Sequence, residues 1–290
     1  MFLSPDTTSL IRHRRRNSPK LVVPRRSHLI YHQQTVDHLA AENCLRSLMP
    51  QIPAEDEVLF LDIGGTYGAS ALGKMGDHEW KSYAAAKASL PEQQSYTFGL
   101  NLGMRMLKGE QLLVWRTDYV YPPDMLRDYQ KQMEGREFCS PYEVLVGNPE
   151  VDSQFVEKHW EKVLPFNADF WRERSKRVSL YETQDPALFG ISKKLWEKIG
   201  GLNHELWGYG WQFAEFAARV RILCDAGNLV YFQGTPPLHQ THSGTLMHHA
   251  PGKAGEAQTG VDRFSSFLGG PEAYWLYRCK QNLKPLDPER

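Results

Sequence analysis

The chain has 290 residues, with 34 Lys and Arg side chains balanced by 34 Asp and Glu. Because 41% of the residues are hydrophobic, there is enough apolar material to bury a core, which excludes a wholly disordered protein. The apolar runs are far shorter than the roughly 18 residues that span a bilayer, and no segment near Met1 resembles a signal peptide. We therefore expect a cytoplasmic protein without a transmembrane segment.

The charge is distributed unevenly along the chain. Residues 1–28 contain seven Lys and Arg but one acidic residue, which leaves +6 in this segment and −6 in the remainder. Three prolines and the absence of a sustained apolar period predict a flexible basic arm over 1–27. Such an arm could make a weak electrostatic contact with an anionic lipid or nucleic-acid surface, or it could be an ordinary solvated tail.

Short apolar strands then alternate with helical patterns. The pattern predicts, in chain order, a strand at 29–31, a helix at 35–49, a strand at 58–63, a helix that ends at Lys108-Gly109, a strand at 111–115 and a helix beginning at the prolines of 122–123. This alternation indicates an α/β fold with a largely parallel sheet flanked by helices.

An acidic residue and a glycine-rich turn follow the second of these strands. Asp62 lies near the carboxyl end of the strand, and GGTYG follows at 64–68. In open α/β sheets, ligands bind beyond the carboxyl ends of strands, where an acid can accept from a ribose or base and glycines let the backbone approach a phosphate. Three interpretations remain open: a nucleotide site, a turn capped by Asp62, and the turn of a class I methyltransferase that uses S-adenosylmethionine.

Two segments resemble the GT-A glycosyltransferases. The first contains NLG at 101–103, GE at 109–110, the strand at 111–115, Arg116-Thr117-Asp118 and paired prolines, and it resembles the stretch that leads into the family's acid-x-acid metal motif. Arg116 replaces the first acid and Asp118 keeps the second. The second segment, 187–227, resembles the acceptor-side motif of family 2 and of β-1,4-galactosyltransferase-type enzymes, with FGIS, IGGL, LWGYGW and a terminal glycine.

The resemblance implies a Rossmann-like, nucleotide-sugar-binding GT-A fold. It implies one domain over 28–275, with a donor half at 28–130, an acceptor half at 131–275 and a C-terminal tail at 276–290. The implied reaction is transfer of a sugar from a nucleotide diphosphate, with a UDP-sugar as the expected donor, to an unidentified acceptor with inversion.

The donor-side residues implied by the resemblance are Asp62, Arg116, Asp118, His239 and His242. If a metal is used, Asp118 and His242 would hold Mn²⁺ or Mg²⁺ against the diphosphate. The leading hypothesis is instead that Arg116, a permanent cation with a fork suited to phosphate oxygens, replaces the metal. An independent zinc site among the C-terminal histidines is a further alternative.

The usual catalytic base is missing from the acceptor-side segment. The family's adjacent Glu-Asp pair falls on Gln212 and Phe213, and neither accepts a proton at neutral pH. The candidate substitute bases are Asp185, His204, Glu205 and Glu215.

Helical spacing gives two of these positions alternative interpretations. Phe213 would lie in an apolar core stripe, and Glu215 would form an exposed pair with Arg219 worth about 0.3–0.5 kcal/mol. The candidate acceptor-binding residues are Trp207, Tyr209, Trp211 and Gln212.

The sequence therefore favours an enzyme, a glycosyltransferase, over two rivals. Loss of the acidic motifs favours a pseudo-glycosyltransferase that binds a nucleotide sugar or a partner without turnover. The methyltransferase is the weaker rival, because it depends on the 64–68 turn alone.

Overall fold

The computed structural model describes residues 7–14, 24–33, 36–63, 80–87, 92–163, 168–180, 188–203 and 211–242. Its strands are β1 (Thr7–Arg14), β2 (Arg26–Gln33), β3 (Glu57–Ile63), β4 (Trp80–Lys87), β5 (Gln111–Arg116), β6 (Tyr119–Val120), β7 (Phe138–Pro141), β8 (Glu143–Gly147), β9 (Ser175–Ser179), β10 (Phe189–Ser192), β11 (Leu229–Phe232) and β12 (Leu238–His239). Its α-helices are α1 (His38–Leu48), α2 (Glu92–Met106), α3 (Met125–Met133), α4 (Ser153–Lys158), α5 (Trp160–Val163), α6 (Ala168–Arg172), α7 (Lys193–Ile199) and α8 (Trp211–Leu223).

Eight of the described strands form one mixed sheet in the order β1-β4-β3-β2-β5-β10-β7-β11. Its centre is parallel, because β2 pairs in parallel with both β3 and β5, and β3 pairs in parallel with β4. The strand β10 is antiparallel to both of its neighbours. A smaller sheet has the order β6-β12-β8-β9. The α/β fold and the largely parallel centre predicted from the sequence are thus confirmed.

Alternation along the central strands divides the core between the two faces of the large sheet. Ile30 and Phe60 pack on one face with helices α1 and α3. Leu29 and Leu59 pack on the opposite face with α2, α7 and α8. Burial on both faces explains why the parallel strands appear in the sequence as nearly continuous apolar runs.

Helix α1 has the signals that predicted it. The side chain of Asp37 accepts a hydrogen bond from the backbone N–H of Ala40 at 2.8 Å, which caps the first turn. Pro50 follows the last turn and lies in a short 3₁₀ segment. The apolar face of the helix, which includes Leu45, is completely buried against the sheet.

Residues 7–14 correct the prediction of a flexible N-terminal arm. They form β1, which pairs antiparallel with β4 along its whole length. The prolines that indicated an arm lie outside this strand, whereas its sequence, TTSLIRHR, contains Thr and Ile, which favour strands. The other proposed domain boundaries remain predictions.

Helix α8 confirms one helical-stripe prediction and corrects another. Phe213, Phe216 and Val220 are buried in the core, as the apolar spacing predicts. Glu215 and Arg219 were expected on an exposed face, but both are completely buried. The polar residues lie inside because the end of α7 packs over them: the guanidinium of Arg219 donates to the carbonyl of Ile199 at 3.0 Å.

None of the helices in the described part of the chain has both the length and the apolar character needed to cross a bilayer.

Candidate functional site

The carboxyl ends of β2, β3 and β5 meet at one edge of the large sheet, because these strands are parallel neighbours. Polar residues occur at each of these ends: His32, Asp62 and the segment 116–118. The backbone N–H of Thr117 donates to the carbonyl of Tyr31 at 3.1 Å, which continues the pairing of β2 and β5 past the end of β5. This edge is where open α/β sheets bind ligands.

Strand β12 brings two histidines to the same edge. His239 pairs with Tyr119 across β12 and β6, and the backbone N–H of Gln240 donates to the carbonyl of Asp118 at 2.8 Å. As a result, His239 and His242 lie beside Asp118, although more than 120 residues separate them in the chain. Three of the five predicted donor-side residues, Arg116, His239 and His242, therefore contact a fourth, Asp118.

Asp118 is the centre of this cluster. Its Oδ1 accepts from Nε of Arg116 at 3.0 Å, and its Oδ2 accepts from Nη2 of the same guanidinium. Nε2 of His239 lies 3.0 Å from Oδ2, and Nε2 of His242 lies 3.4 Å from it. Both oxygens of one buried carboxylate are thus engaged by a bidentate arginine, and one of them also by imidazole.

Burial and charge act in opposite directions on this cluster. Burial would raise the pKa of Asp118, but Arg116 and His239 more than offset it and hold the pKa well below its usual range. Burial lowers the pKa of His239, and the nearby Asp118 only partly opposes this. At neutral pH the cluster therefore combines an ionised carboxylate, a guanidinium and a neutral His239.

The cluster fits a divalent cation. Asp118, His239 and His242 each offer a ligand atom, and these atoms lie within 4.8 Å of one another. Nε2 is the nitrogen of His239 that faces the carboxylate, and Nδ1 on the other side of the ring is buried with no hydrogen-bond partner. One carboxylate and two imidazoles form a donor set for a divalent metal ion: the carboxylate oxygen suits Mn²⁺ or Mg²⁺, and imidazole nitrogens suit transition metals. Arg116 is the exception in this arrangement, because it places a fixed positive charge on the same carboxylate.

His32 is a residue that the sequence analysis missed. Its Nδ1 lies 2.9 Å from Oγ1 of Thr117, which ties the end of β2 to the residue before Asp118. Burial lowers the pKa of His32 to about 4, against the opposing influence of Asp62. A signal was available: His32 is the polar residue that follows an apolar strand, as Asp62 does in the next strand.

Asp62 lies where the sequence predicts it, at the carboxyl end of β3. It is completely buried and is in register with His32 on the neighbouring strand. The glycine turn that follows it, at 64–68, lies outside the described residues.

A buried amide network supports the strand that carries the histidines, and sequence reasoning missed it too. The amide of Asn43, on α1, donates to Oε1 of Gln240 at 2.9 Å and to the carbonyl of Ser153 at 3.0 Å. Nε2 of Gln240 donates back to the carbonyl of Ala40 at 3.0 Å. Helix α1 is thereby fixed to the residue between His239 and Thr241. Single amides carry no motif in sequence, so nothing local could have signalled this contact.

The candidate base Glu215 is buried and paired in the described part of the chain. Its Oε2 is 2.6 Å from Nη2 of Arg219, and both side chains are inaccessible to water. The contact makes Glu215 part of the core, next to Phe213.

Asp185, His204, Glu205, Trp207 and Tyr209 lie outside the described residues. Trp211 and Gln212 begin helix α8, but only their backbone is described.

No protein-family model matches the sequence, and no curated protein matches it by sequence. Solved structures do match the fold. One is S. aureus TarS 1–349, at 13% identity and a TM-score of 0.51, covering 74% of this chain and 60% of that one. The chain thus spans about 60% of the length of that neighbour.

Two further matches cover more of both chains. The mannosyltransferase PcManGT from Pyrobaculum calidifontis, in complex with GDP-Man and Mn²⁺, has 15% identity and a TM-score of 0.50, with 90% of this chain and 81% of that one covered. Glucosyl-3-phosphoglycerate synthase from Mycobacterium tuberculosis, in complex with Mn²⁺, UDP and glucosyl-3-phosphoglycerate, has 11% identity and a TM-score of 0.51, with 85% of this chain and 81% of that one covered. At such identities the likeness is one of fold: the chain has the GT-A fold of nucleotide-sugar glycosyltransferases, as the two sequence segments predicted.

Proposed function

We propose that this chain is a glycosyltransferase that binds the diphosphate of a nucleotide sugar at the edge formed by β2, β3 and β5. The observation that carries the proposal is the convergence of Asp118, His239 and His242 at the carboxyl end of β5. The comparisons support it, because PcManGT is in complex with GDP-Man and Mn²⁺ and the synthase from M. tuberculosis with UDP and Mn²⁺. A UDP-sugar is the donor that we expect.

The charges favour a divalent cation over the metal-independent hypothesis. The guanidinium of Arg116 is bonded to Asp118 through two nitrogens, so these two charges cancel. Since the pKa of His239 is lowered by burial, that ring adds no charge at neutral pH. A cluster with so little net charge attracts a diphosphate weakly. We therefore propose that Asp118, His239 and His242 hold Mn²⁺ or Mg²⁺, which would neutralise the charge that develops on the leaving diphosphate.

The protein residues around this position have separate tasks in the proposal. Asp118 is kept ionised by its neighbours and so retains a ligand atom at neutral pH. The contact of His32 with Thr117 fixes the backbone that carries Asp118. Asp62 lies at the carboxyl end of β3, next to β2, and its carboxylate is proposed to accept a hydrogen bond from the ribose or the base.

The acceptor half is proposed from the resemblance alone. Asp185, His204, Glu205 and Glu215 remain the candidate bases for an inverting transfer. Glu215 suits that task least, because its carboxylate is buried and paired with Arg219. Trp207, Tyr209, Trp211 and Gln212 remain the proposed acceptor contacts. A cytoplasmic location and a contact of the N-terminal segment with anionic surfaces also remain proposals.

One observation favours a second function, that of a pseudo-glycosyltransferase. According to the resemblance, the family's acidic base pair falls on Gln212 and Phe213; Phe213 lies in the core, and Glu215 is buried and bonded to Arg219. A protein that binds a nucleotide sugar without transferring it would share the Asp118 site. The methyltransferase alternative gains no support from the GT-A fold.

The test is calorimetric titration of UDP and of UDP- and GDP-sugars into the protein with Mn²⁺ and with EDTA. We expect binding that needs Mn²⁺ and that weakens by about tenfold or more in Asp118→Asn, the scale seen when groups of a metal site are removed. The matched control is Asp124→Asn, which changes an exposed carboxylate that pairs with Arg127. The absence of nucleotide binding in both buffers would refute the proposal, and binding that persists in EDTA would restore the metal-independent hypothesis. Transfer or hydrolysis of the sugar from the bound donor would favour the enzyme, and binding without turnover would favour the pseudo-glycosyltransferase.

A further inference from the structure

We infer that Arg116 is an internal cation that holds Asp118 in the free protein and competes with the divalent cation for it. The inference rests on the proposed function, because it concerns the same cation site. It adds that the site is closed until the guanidinium leaves Asp118, and that the released guanidinium then becomes a ligand for the donor diphosphate.

The geometry of the carboxylate carries the first step. Nε of Arg116 lies 3.0 Å from Oδ1 of Asp118, while Nη2 contacts Oδ2. Oδ2 is also the atom that His239 approaches at 3.0 Å. A cation bound between this carboxylate and the two imidazoles would take the lone pairs that now accept from the guanidinium. The two positive groups therefore compete for the same oxygen atoms, and they also repel one another at close range.

The surroundings of Arg116 limit the exchange to its side chain. The hydroxyl of Tyr121 accepts from the backbone N–H of Arg116 and donates to its carbonyl, both at 2.8 Å. The thiol of Cys44 lies 3.4 Å from the same carbonyl. With the backbone fixed in this way, the guanidinium can swing off Asp118 but remains at the carboxyl edge of the sheet. Its side chain is 11% exposed, in contrast to 1% for Asp118, so it lies on the outer side of the cluster.

The consequence is a coupling between donor and cation. A diphosphate offers the guanidinium a second bidentate partner, and this partner carries more negative charge than Asp118. Binding of the diphosphate would therefore release the carboxylate for the cation, and binding of the cation would release Arg116 for the diphosphate. Such a coupling is reciprocal by thermodynamic necessity.

The test uses Mn²⁺ alone, titrated into the full chain without nucleotide and followed by calorimetry and by the EPR signal of free Mn²⁺. We expect Arg116→Gln to bind Mn²⁺ about tenfold or more tightly than the wild type, because the change removes both the competitor for Asp118 and the repulsion between the guanidinium and the ion. Arg116→Lys, which keeps the charge but cannot form the bidentate contact, should lie between them. The matched control is Arg127→Gln, which removes an exposed arginine from its pair with Asp124 and should leave Mn²⁺ affinity unchanged.

The outcomes separate this inference from the proposed function. Mn²⁺ binding that is equally tight in wild type, Arg116→Gln and Arg116→Lys would overturn the inference while leaving the cation site in place. Weaker binding in Arg116→Gln would overturn it as well. If neither the wild type nor a folded Arg116 variant binds Mn²⁺, the proposed cation site itself fails. Circular dichroism establishes folding, and Arg116→Lys provides the comparison if Arg116→Gln does not fold.

Discussion

The buried pair of Glu215 and Arg219 gives a sharp prediction about stability. Nη2 of Arg219 lies 2.6 Å from Oε2 of Glu215, and Nη1 donates to the carbonyls of Ile199 at 3.0 Å and of Gly201 at 2.6 Å. Neither side chain of the pair is accessible to water. One guanidinium therefore balances a buried charge and also satisfies two carbonyls at the end of α7.

Arg219→Met keeps an unbranched apolar stem but removes all of these contacts. The carboxylate of Glu215 then loses the guanidinium that faces it in the core, and breaking a buried ion pair in this way costs about 3–5 kcal/mol in the free energy of unfolding. The carbonyls of Ile199 and Gly201 also lose their donor, and each unsatisfied buried group costs about 1–3 kcal/mol. Because these losses are not additive, we expect a total near the upper end of the range of about 3–5 kcal/mol. Against a total stability of about 5–15 kcal/mol, the variant should be close to unfolding.

The assay is urea denaturation of the wild type, Arg219→Met, Glu215→Met and the double variant. The double variant should be less destabilised than the sum of the two single changes, because no charge is then left alone in the core. The control is Arg127→Met, whose pair with Asp124 is 72% and 59% exposed and should be worth about 1 kcal/mol or less. If Arg219→Met costs no more than Arg127→Met, or if the single changes simply add, the buried-pair argument is wrong.

Two further predictions concern Asp56, at the amino ends of the parallel strands, and Gly201, in the turn after α7. Burial would raise the pKa of Asp56, but its hydrogen bonds with His28 and Arg26 lower it. Asp56→Asn should therefore lower stability by about 1–3 kcal/mol above pH 4, and the difference should shrink as pH falls through the lowered pKa, as pH-dependent urea unfolding can measure. Gly201→Ala should cost about 1–3 kcal/mol in thermal unfolding, because φ is +77° and a Cβ would lie 2.6 Å from Oδ1 of Asn101; an unchanged melting temperature would contradict this.

The sequence predicted well those strands and helices whose signals lie within a few neighbouring residues. The strands at 58–63 and 111–115 correspond to β3 and β5, because a strand covered on both faces must be apolar at nearly every position. Helix α1 was found for a similar reason, since its cap at Asp37 and its apolar stripe are encoded within a few residues.

The parts that it missed depend on contacts between distant residues. His32 contacts Thr117, which is 85 residues away in the chain, and no sequence pattern near His32 predicts that contact. Arg219 and Glu215 have the spacing of an exposed pair, and only the packing of α7 against α8 places them in the core. The convergence of Asp118 with His239 was expected from the family resemblance, not from spacing, because it depends on the pairing of β12 with β6.

Two arginines in this chain each hold a buried carboxylate, yet their surroundings give the contacts different consequences. Arg219 is completely buried and is also bonded to two carbonyls of a turn, so its guanidinium has no room to exchange partners. Arg116 is partly exposed at the ligand-binding edge of the sheet, and its carboxylate also faces imidazoles that suit a cation. Removing Arg219 should therefore change stability, whereas removing Arg116 should change which cation Asp118 binds. A buried arginine–carboxylate pair is structural where the arginine is enclosed, and it can act as a switch where the guanidinium can move towards an incoming phosphate.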